Sequence, residues 1–528
     1  MGQINTYLNT LFLTLLIIIP YGAWRNKTTQ ILIFVVIDLW LISNLAYGRT
    51  YYSMIPISSY GLAGNLSDFM PSVWSSLRWY DILFPLSTIF ITGYYSRLKH
   101  SDPRNIKIYF ATLGTTLLLA TTVIMIRGGF RKSYERTLTP ARHATVVQTH
   151  TLLGFIIYDC ISSLSPITHE QKRHVYEWLD HKNAASSLIP DISPRRNLVL
   201  IICESLESWP IGQRLNGHEI TPYLNSLTND STTSYCSHVM SQTKGGRSID
   251  CPLLVTAGLI PPASGCYSVL YPRHEYHTLP KALKQDRNAK SLLLTTDSHN
   301  IWNLGPISRS MGIDSIIGKG HWDTTHQIRG RVSDESFLKQ ITERLTYDNL
   351  WPAGTPIYLQ IVTYSGHMPF TIPEHLRGIN TSTVNDTFLA DYISAVNFLD
   401  RSLRPLIEYL KSRPDYDDTL IVITGDHEGL AEVRNRAIND PVGSKLVSSS
   451  QYVPLIIINS PVNISTDREI GQINIYPTLL QMLGLTGYKW KGVGRSIIDI
   501  VASDSVDSYG TAAEISDLII KYDLLRDL

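Results

Sequence analysis

The run Thr424-Gly425-Asp426-His427-Glu428-Gly429 sets a carboxylate beside an imidazole, directly after a short apolar stretch. Oxygen and nitrogen donors together suit Zn²⁺ or Mn²⁺, and Mg²⁺ less well. Glu204 ends another apolar stretch, Leu198–Cys203, and offers a third ligand. A carboxylate there also serves as a helix cap, and for Glu204 alone a cap is the better reading. With Asp426 and His427 beside it, metal binding is the better one. The loop Gln242-Thr243-Lys244-Gly245-Gly246-Arg247-Ser248-Ile249-Asp250 is glycine-rich, basic and carries a hydroxyl. It lacks the spacing of a Walker loop. A hydroxyl opening a helix sits at the positive dipole end, where anions bind; an ordinary capped turn is the plain alternative. Serine is a poor nucleophile until a base or a metal lowers its pKa. The ligand set above supplies that, so Ser248 is the candidate nucleophile.

Such residues need a scaffold that brings them together. After Pro194 the sequence alternates short β-rich runs with helical stretches. Leu198–Cys203, Ser291–Thr295, Ile357–Thr363, Leu420–Thr424 and Val453–Asn459 read as strands, with helices such as Ala390–Lys411 and Tyr476–Leu483 between them. This predicts an α/β fold, a mostly parallel sheet between helices. Ligands of such sheets bind beyond the carboxyl ends of the strands. The rule selects Glu204, Asp297, the Ser365-Gly366-His367 turn and the Asp426-His427 pair.

Composition sets the outer limits. The 528 residues allow two or three domains. Hydrophobic residues make 44% and charged ones 17%, so the chain is not disordered. A net charge of +1 gives no reason to expect a nucleic-acid partner. Five cysteines are too few for a disulfide scaffold. Cys251 and Cys266 could pair in an oxidising compartment, although buried thiols are the plainer reading.

The low charge is concentrated near the N-terminus. Tyr7–Trp24, Ile31–Tyr47, Ile82–Ser96 and Ile108–Ile126 read as four membrane spans, each needing about 20 apolar residues. The third is short and reads alternatively as a re-entrant or interfacial helix. The first lacks the basic start and cleavage site of a signal peptide. Arg25, Lys27, Arg97, Lys99, Arg104 and Lys107 assign their loops to the cytoplasm, with both termini outside. Arg127, Arg131 and Lys132 run against that orientation. Asp38, inside the second span, is expected to hydrogen-bond a neighbouring helix. The expected divisions are a transmembrane domain over 1–127, juxtamembrane linker helices over 128–195 and a catalytic domain over 196–528. Within the linker, Gln171–Leu179 reads as an amphipathic helix at the membrane surface.

Taken in order, these features resemble a lipoteichoic acid synthase-type member of the alkaline phosphatase and sulfatase superfamily. The matching stretches are Leu198–Glu204, Thr221-Pro222-Tyr223-Leu224-Asn225-Ser226-Leu227, Gly246-Arg247-Ser248-Ile249-Asp250, Trp302-Asn303, Ser365-Gly366-His367-Met368-Pro369-Phe370, Gly425-Asp426-His427 and Tyr476-Pro477-Thr478-Leu479-Leu480. Arg127-Gly128-Gly129 after the last span fits as well. The resemblance implies that Glu204, Asp426 and His427, with Ser248, hold one divalent metal. Mn²⁺ or Mg²⁺ is favoured, with Zn²⁺ as the alternative. It implies Ser248 as nucleophile in place of the family's threonine, and His367, Trp302, Asn303 and Arg247 as substrate contacts. There are departures. Leu304 stands where the family has an arginine, Arg247 where a lysine is usual, and four spans are read where five are common.

The implied reaction moves a phosphorylated head group, phosphoglycerol by preference, from a membrane phospholipid to a glycan or lipid-linked acceptor hydroxyl, through a covalent bond to Ser248. The implied location is a bacterial cell (inner) membrane, multi-pass, with the catalytic domain on the outer or periplasmic side. Phosphoethanolamine transfer, phosphodiester hydrolysis and a non-catalytic membrane binding protein are the alternatives. Sulfate-ester hydrolysis is disfavoured: neither Cys251 nor Ser248 begins the Cys/Ser-x-Pro-x-Arg pattern.

Overall fold

The structure, a computed structural model, describes residues 27–51, 54–55, 60, 77–95, 103–126, 166–185, 194–262, 265–503 and 509–528, with Leu11 and Leu15. Two compact units result, residues 1–166 and 167–528, with 263–265 grouped with the first.

In the second unit, eight strands form one sheet. They are β1 (Asn197–Cys203), β2 (Ser234–Met240), β3 (Lys290–Thr295), β4 (Ser315–Ile317), β5 (Ile357–Val362), β6 (Thr419–Gly425), β7 (Tyr452–Ile458) and β8 (Ile470–Gly471). Their order across the sheet is β8-β2-β7-β6-β1-β5-β3-β4. β1 lies at the centre, parallel to both β5 and β6, because Asn-Leu-Val-Leu-Ile-Ile-Cys is apolar on both faces and both faces are covered. Leu198, Leu200 and Ile202 face one buried cluster, and Val199, Ile201 and Cys203 face the other.

The five expected strands are present with ends shifted by a residue or so, and the helices Thr387–Lys411 and Ile475–Met482 match their expected stretches. β7 runs antiparallel to β6, and β2, absent from the sequence reading, runs antiparallel to β7. Two reversals restore the direction of β2, so its carboxyl end opens on the same rim as β1, β5 and β6. The alternating burial of Ser-Tyr-Cys-Ser-His-Val-Met explains why no apolar run marked it. The Thr221-Pro222 turn opens the helix Pro222–Thr228, whose first N–H groups at Tyr223 and Leu224 donate to Asp400 (3.0 and 2.7 Å).

The helix His169–Ala185 belongs to this unit. Its apolar face is used on the catalytic core, with Val175 and Leu179 buried beside the C-terminal helix Tyr509–Lys521, rather than on a membrane surface. Cys251 and Cys266 are both buried and unbridged, so the alternative of a disulfide is not realised.

The first unit contains the helices Lys27–Tyr51, Leu83–Tyr95 and Pro103–Ile126. The apolar run Tyr7–Trp24, apart from Leu11 and Leu15, lies outside the described residues, as do residues 127–165. Among the described residues no helix is long and apolar enough to cross a membrane. The expected spans are therefore not seen as such. Leu83–Tyr95 has only 13 residues. Lys27–Tyr51 carries Asp38 and Arg49, and Pro103–Ile126 carries Arg104, Lys107 and threonines whose hydroxyls donate to carbonyls one turn back. Asp38 is buried. Arg49 makes a two-pronged contact with Asp81 (2.6 and 2.7 Å).

Candidate active site

Three strand ends converge. Glu204 follows β1 and Asp426-His427 follow β6. Ser248 sits on the turn between β2 and the helix Asp250–Ala257. One ligand atom from each of Glu204, Asp426 and His427 lies within 4.8 Å of the others. The Ser248 hydroxyl joins them: Oγ donates to Glu204 Oε2 (3.0 Å) and lies 3.1 Å from His427 Nε2.

Close backbone approach makes this convergence workable. A Cβ on Gly366 would stand 2.2 Å from the Glu204 carbonyl oxygen, so only glycine lets the β5 turn pass behind β1. A Cβ on Gly246 would stand 2.2 Å from Asp250 Oδ1. Asp250 in turn fastens the nucleophile loop by accepting from the N–H groups of Lys244 and Gly246 (2.8 and 3.0 Å).

The donor set fits a divalent cation. Asp426 Oδ1 accepts from the N–H groups of Ser205 and His427 (2.7 and 2.8 Å), which fixes the carboxylate plane. Its Oδ2 is buried with no hydrogen-bond partner. Burial, then the negative charge of Asp426, pushes the Glu204 carboxyl up to about 8. Two acids crowded in a dry site, one with an orphaned oxygen, are arranged for a positive charge between them. With carboxylate, imidazole and hydroxyl donors, Mn²⁺, Mg²⁺ or Zn²⁺ would be held by Glu204, Ser248, Asp426 and His427.

The second layer was partly hidden from sequence reasoning. Arg247, whose backbone is left-handed (φ 52), gives its guanidinium to Glu428: Nη1 to the carboxylate and Nη2 to the carbonyl oxygen (3.2 Å). Ser241 Oγ also donates to Glu428 (2.9 Å). His427 Nδ1 lies 2.8 Å from the Glu428 carbonyl and 3.1 Å from Arg247 Nη2. A carbonyl only accepts, so the closer contact, to Glu428, places the proton on Nδ1; Arg247 Nη2 donates to the same carbonyl, and Nε2 turns a lone pair toward Ser248. Although the site is buried, Arg247 and His427 hold the Glu428 carboxyl down to about 2. Glu428 lay in the hexapeptide that drew attention first, but only the fold pairs it with Arg247. Gln472, which stands in no motif, donates to the Asp426 carbonyl (2.8 Å).

Two segments flank the site on the β5 side, and a third, after β3, carries Trp302 and Asn303. Trp302 and Asn303 follow β3 in consecutive left-handed conformations (φ 51 and 54), a strained pair of the sort found at functional loops. Leu304 packs into the apolar core beside a cavity of about 20 Å³ that Ile249 and Ile307 also line. His367 follows β5; its Nδ1 lies 2.8 Å from the Met368 carbonyl, and burial lowers its pKa. Its ring stacks on Tyr364, 5.5 Å between centres. A short hairpin, Gln327–Ile328 with Arg331–Val332, adds two arginines that the sequence reading passed over. Arg329 donates to the carbonyls of Ser365 (3.0 Å) and His367 and so fixes the histidine turn. Arg331 pairs with Asp297 (2.7 Å).

A parallel sheet carrying a hydroxyl, two carboxylates and an imidazole on one rim defines a class, and comparison identifies it. The chain belongs to the sulfatase family, whose pattern matches residues 196–485. The lipoteichoic acid synthase N-terminal domain matches residues 1–172, so the chain is of lipoteichoic acid synthase type, a sulfatase-superfamily phosphotransferase. The lipoteichoic acid synthase-like protein YvgJ of Bacillus subtilis (strain 168) is 27% identical over 487 residues, 87% of this chain and 76% of that protein. The lipoteichoic acid synthase of Staphylococcus saprophyticus is 22% identical over 521 residues, 94% of this chain and 79% of that protein. The crystal structure of the lipoteichoic acid synthase LtaP from Listeria monocytogenes superposes with a TM-score of 0.52 at 21% identity, covering 61% of this chain and 81% of that one, which bears on the fold alone.

Proposed function

We propose that the protein transfers a phosphoglycerol head group from a membrane phospholipid to the hydroxyl of a glycan or lipid-linked acceptor, outside the cell membrane, through a covalent Ser248 intermediate. The observation that carries this reading is the Ser248 hydroxyl, within 3.1 Å of both Glu204 and His427 and beside the unpartnered oxygen of Asp426. The relatives named as lipoteichoic acid synthases favour the phosphoglycerol donor over phosphoethanolamine.

When bound, a divalent cation supplies a lowered hydroxyl pKa and a polarised phosphoryl oxygen. The chain's own groups do the rest. Glu204 Oε2 and His427 Nε2 orient the Ser248 hydroxyl, and its proton passes to water as Oγ attacks. Ser248 Oγ bonds to phosphorus, and the bond from phosphorus to the diacylglycerol oxygen breaks. The diacylglycerol oxygen takes a proton from water. The acceptor hydroxyl then bonds to phosphorus, gives up its proton, and releases Ser248. His367 is neutral at rest, with Nδ1 bound to a carbonyl, so its Nε2 suits the acceptor's proton in this second step.

The membrane placement is part of the proposal. Ile31, Leu32, Val36 and Leu39 in one helix, Ile89 and Phe90 in another, and Leu118 and Met125 in a third are exposed apolar side chains on neighbouring segments. Immersion in a bilayer would cover them and hold the rim at the height of the lipid head groups.

The test is mass spectrometry of the full-length protein incubated with phosphatidylglycerol or phosphatidylethanolamine, with Mn²⁺ or with chelator. A metal-dependent phosphoglycerol adduct on Ser248 is expected. A phosphoethanolamine adduct would change the donor, and head group released to water without an acceptor would make the protein a hydrolase. With neither adduct nor product, the transferase reading fails.

A further inference from the structure

Arg331 has no part in the scheme above, yet it packs on the tyrosine that stacks on His367. Its Nη1 atom bonds Asp297 Oδ1 (2.7 Å) and the Thr296 carbonyl (2.9 Å), which ties the hairpin to the carboxyl end of β3. Its guanidinium stands 5.2 Å from the centre of the Tyr364 ring, and Tyr364 stacks on His367. The wall is not sealed: the side chain of Asp297 is 33% exposed and that of Arg331 13%. The second arginine of the hairpin, Arg329, stands 5.5 Å from the centre of the same ring. The charge of Asp297 acts on both His367 and Tyr364, and that of Asp426 reaches His367, so these groups share one site with the metal ligands.

The charges decide which head group fits. Phospholipid head groups of this size divide into neutral polyols, which donate and accept hydrogen bonds, and ammonium groups, which donate and carry a positive charge. An isolated Asp297 at the rim would attract an ammonium. Here the carboxylate is already matched by Arg331, and Arg329 adds a second cation. At the exposed face of this wall Asp297 is negative and Arg331 and Arg329 are positive; Glu204 and Asp334, whose charges also reach Tyr364 and Arg329, lie buried behind it, Glu204 among the groups that would hold the metal. An ammonium at that face would meet two guanidinium groups, whereas hydroxyls find an oxygen acceptor and N–H donors side by side. Resting on the transferase reading above, we infer that Arg331 is the residue that sets head-group choice, selecting an uncharged polyol phosphate over an ammonium-bearing one by neutralising Asp297.

The experiment uses full-length protein in detergent with Mn²⁺ and measures kcat/KM on fluorescent phosphatidylglycerol and on fluorescent phosphatidylethanolamine. The ratio of the two is independent of how much of a sample is folded. Wild type is expected to favour phosphatidylglycerol at least tenfold. Arg331→Met should lower the ratio tenfold or more, mostly through a raised KM for phosphatidylglycerol and a gain on phosphatidylethanolamine. Arg331→Lys, which keeps the charge, should stay within about threefold of wild type. If Arg331→Met yields no folded protein, Asp297→Asn tests the same pair from the other side and should raise the ratio. Unchanged ratios in Arg331→Met or Asp297→Asn overturn the inference and leave the transferase reading standing. A wild type that prefers phosphatidylethanolamine overturns it as well. A wild type inactive on both lipids overturns the transferase reading and this inference with it.

Discussion

The two sides of the site are built differently. The metal side hangs from strand ends: Glu204, Asp426 and His427 each follow a central strand by one or two residues, and backbone N–H groups fix the Asp426 carboxylate. The proposed head-group side is built from the His367 turn and a hairpin of two-residue strands, which Arg329 and Arg331 tie to that turn and to the end of β3, where the strained Trp302-Asn303 turn follows. A reaction shared across a superfamily needs the first arrangement kept rigid. A choice among substrates needs the second, where side chains on loops can change without disturbing the sheet.

If the metal side carries the chemistry, damage there should remove turnover and leave the fold. Ser248→Ala is expected to lower kcat by about 10³-fold or more, with the thermal midpoint kept within a few degrees. Full activity in that variant would sink the covalent scheme. Gly366→Ala attacks the seam between the two sides, since its Cβ would stand 2.2 Å from the Glu204 carbonyl. Rearrangement around it should cost about 1–3 kcal/mol and show as a lowered midpoint with weakened Mn²⁺ binding. An unaffected midpoint would mean that the seam yields easily. Arg247→Met tests the second layer. It should weaken Mn²⁺ about 10–100-fold by calorimetry, because the Glu428 carbonyl that orients His427 loses its anchor. If KM for lipid rises while Mn²⁺ affinity holds, Arg247 contacts substrate, as the sequence resemblance implied.

The same contrast explains what the sequence disclosed. The metal side was legible because apolar runs ending in Glu204 and Asp426-His427 combine a strand signal with ligand chemistry within a few residues. Ser248 was legible from its glycine-rich loop, although the strand that carries it, β2, was not, since half-buried alternation with serines resembles a surface segment. Antiparallel β7 read as another parallel strand, because burial on both faces gives the same apolar run in either direction. Arg329, Arg331 and Tyr364 gave no signal. Their meaning lies in contacts with residues 30 or more positions away, and strands of two residues leave no period to read. The helix His169–Ala185 shows the limit of amphipathicity: the pattern marks an apolar face and does not say whether protein or lipid covers it.

The smallest effect concerns the anchor of the head-group side. Asp334 opens the helix Asp334–Tyr347 and accepts from the N–H groups of Tyr364 and Ser365 (2.8 and 3.0 Å), below the His367 turn. Burial outweighs these bonds and pushes its carboxyl up to about 6. Asp400, which holds the start of the helix Pro222–Thr228, is raised to about 6 in the same way. An acid whose folded pKa exceeds its unfolded value near 4 binds its proton more tightly in the native state. Its contribution to stability is complete below about pH 4 and is lost as pH rises through 6. Glu428, held near 2, works in the opposite sense but only below about pH 4, whereas Glu204, raised to about 8, and Asp250, raised to about 7, titrate in the same sense and add to the loss in this window. The Asp334 share, read as the difference between metal-free wild type and Asp334→Asn, should therefore shrink by on the order of 2 kcal/mol between pH 4.5 and 7.5, seen as midpoints that converge by several degrees. A difference between the two proteins that stays level or grows over that range would show that the anchor is ionised throughout. The head-group side would then be held by charge as firmly as the metal side is held by its backbone.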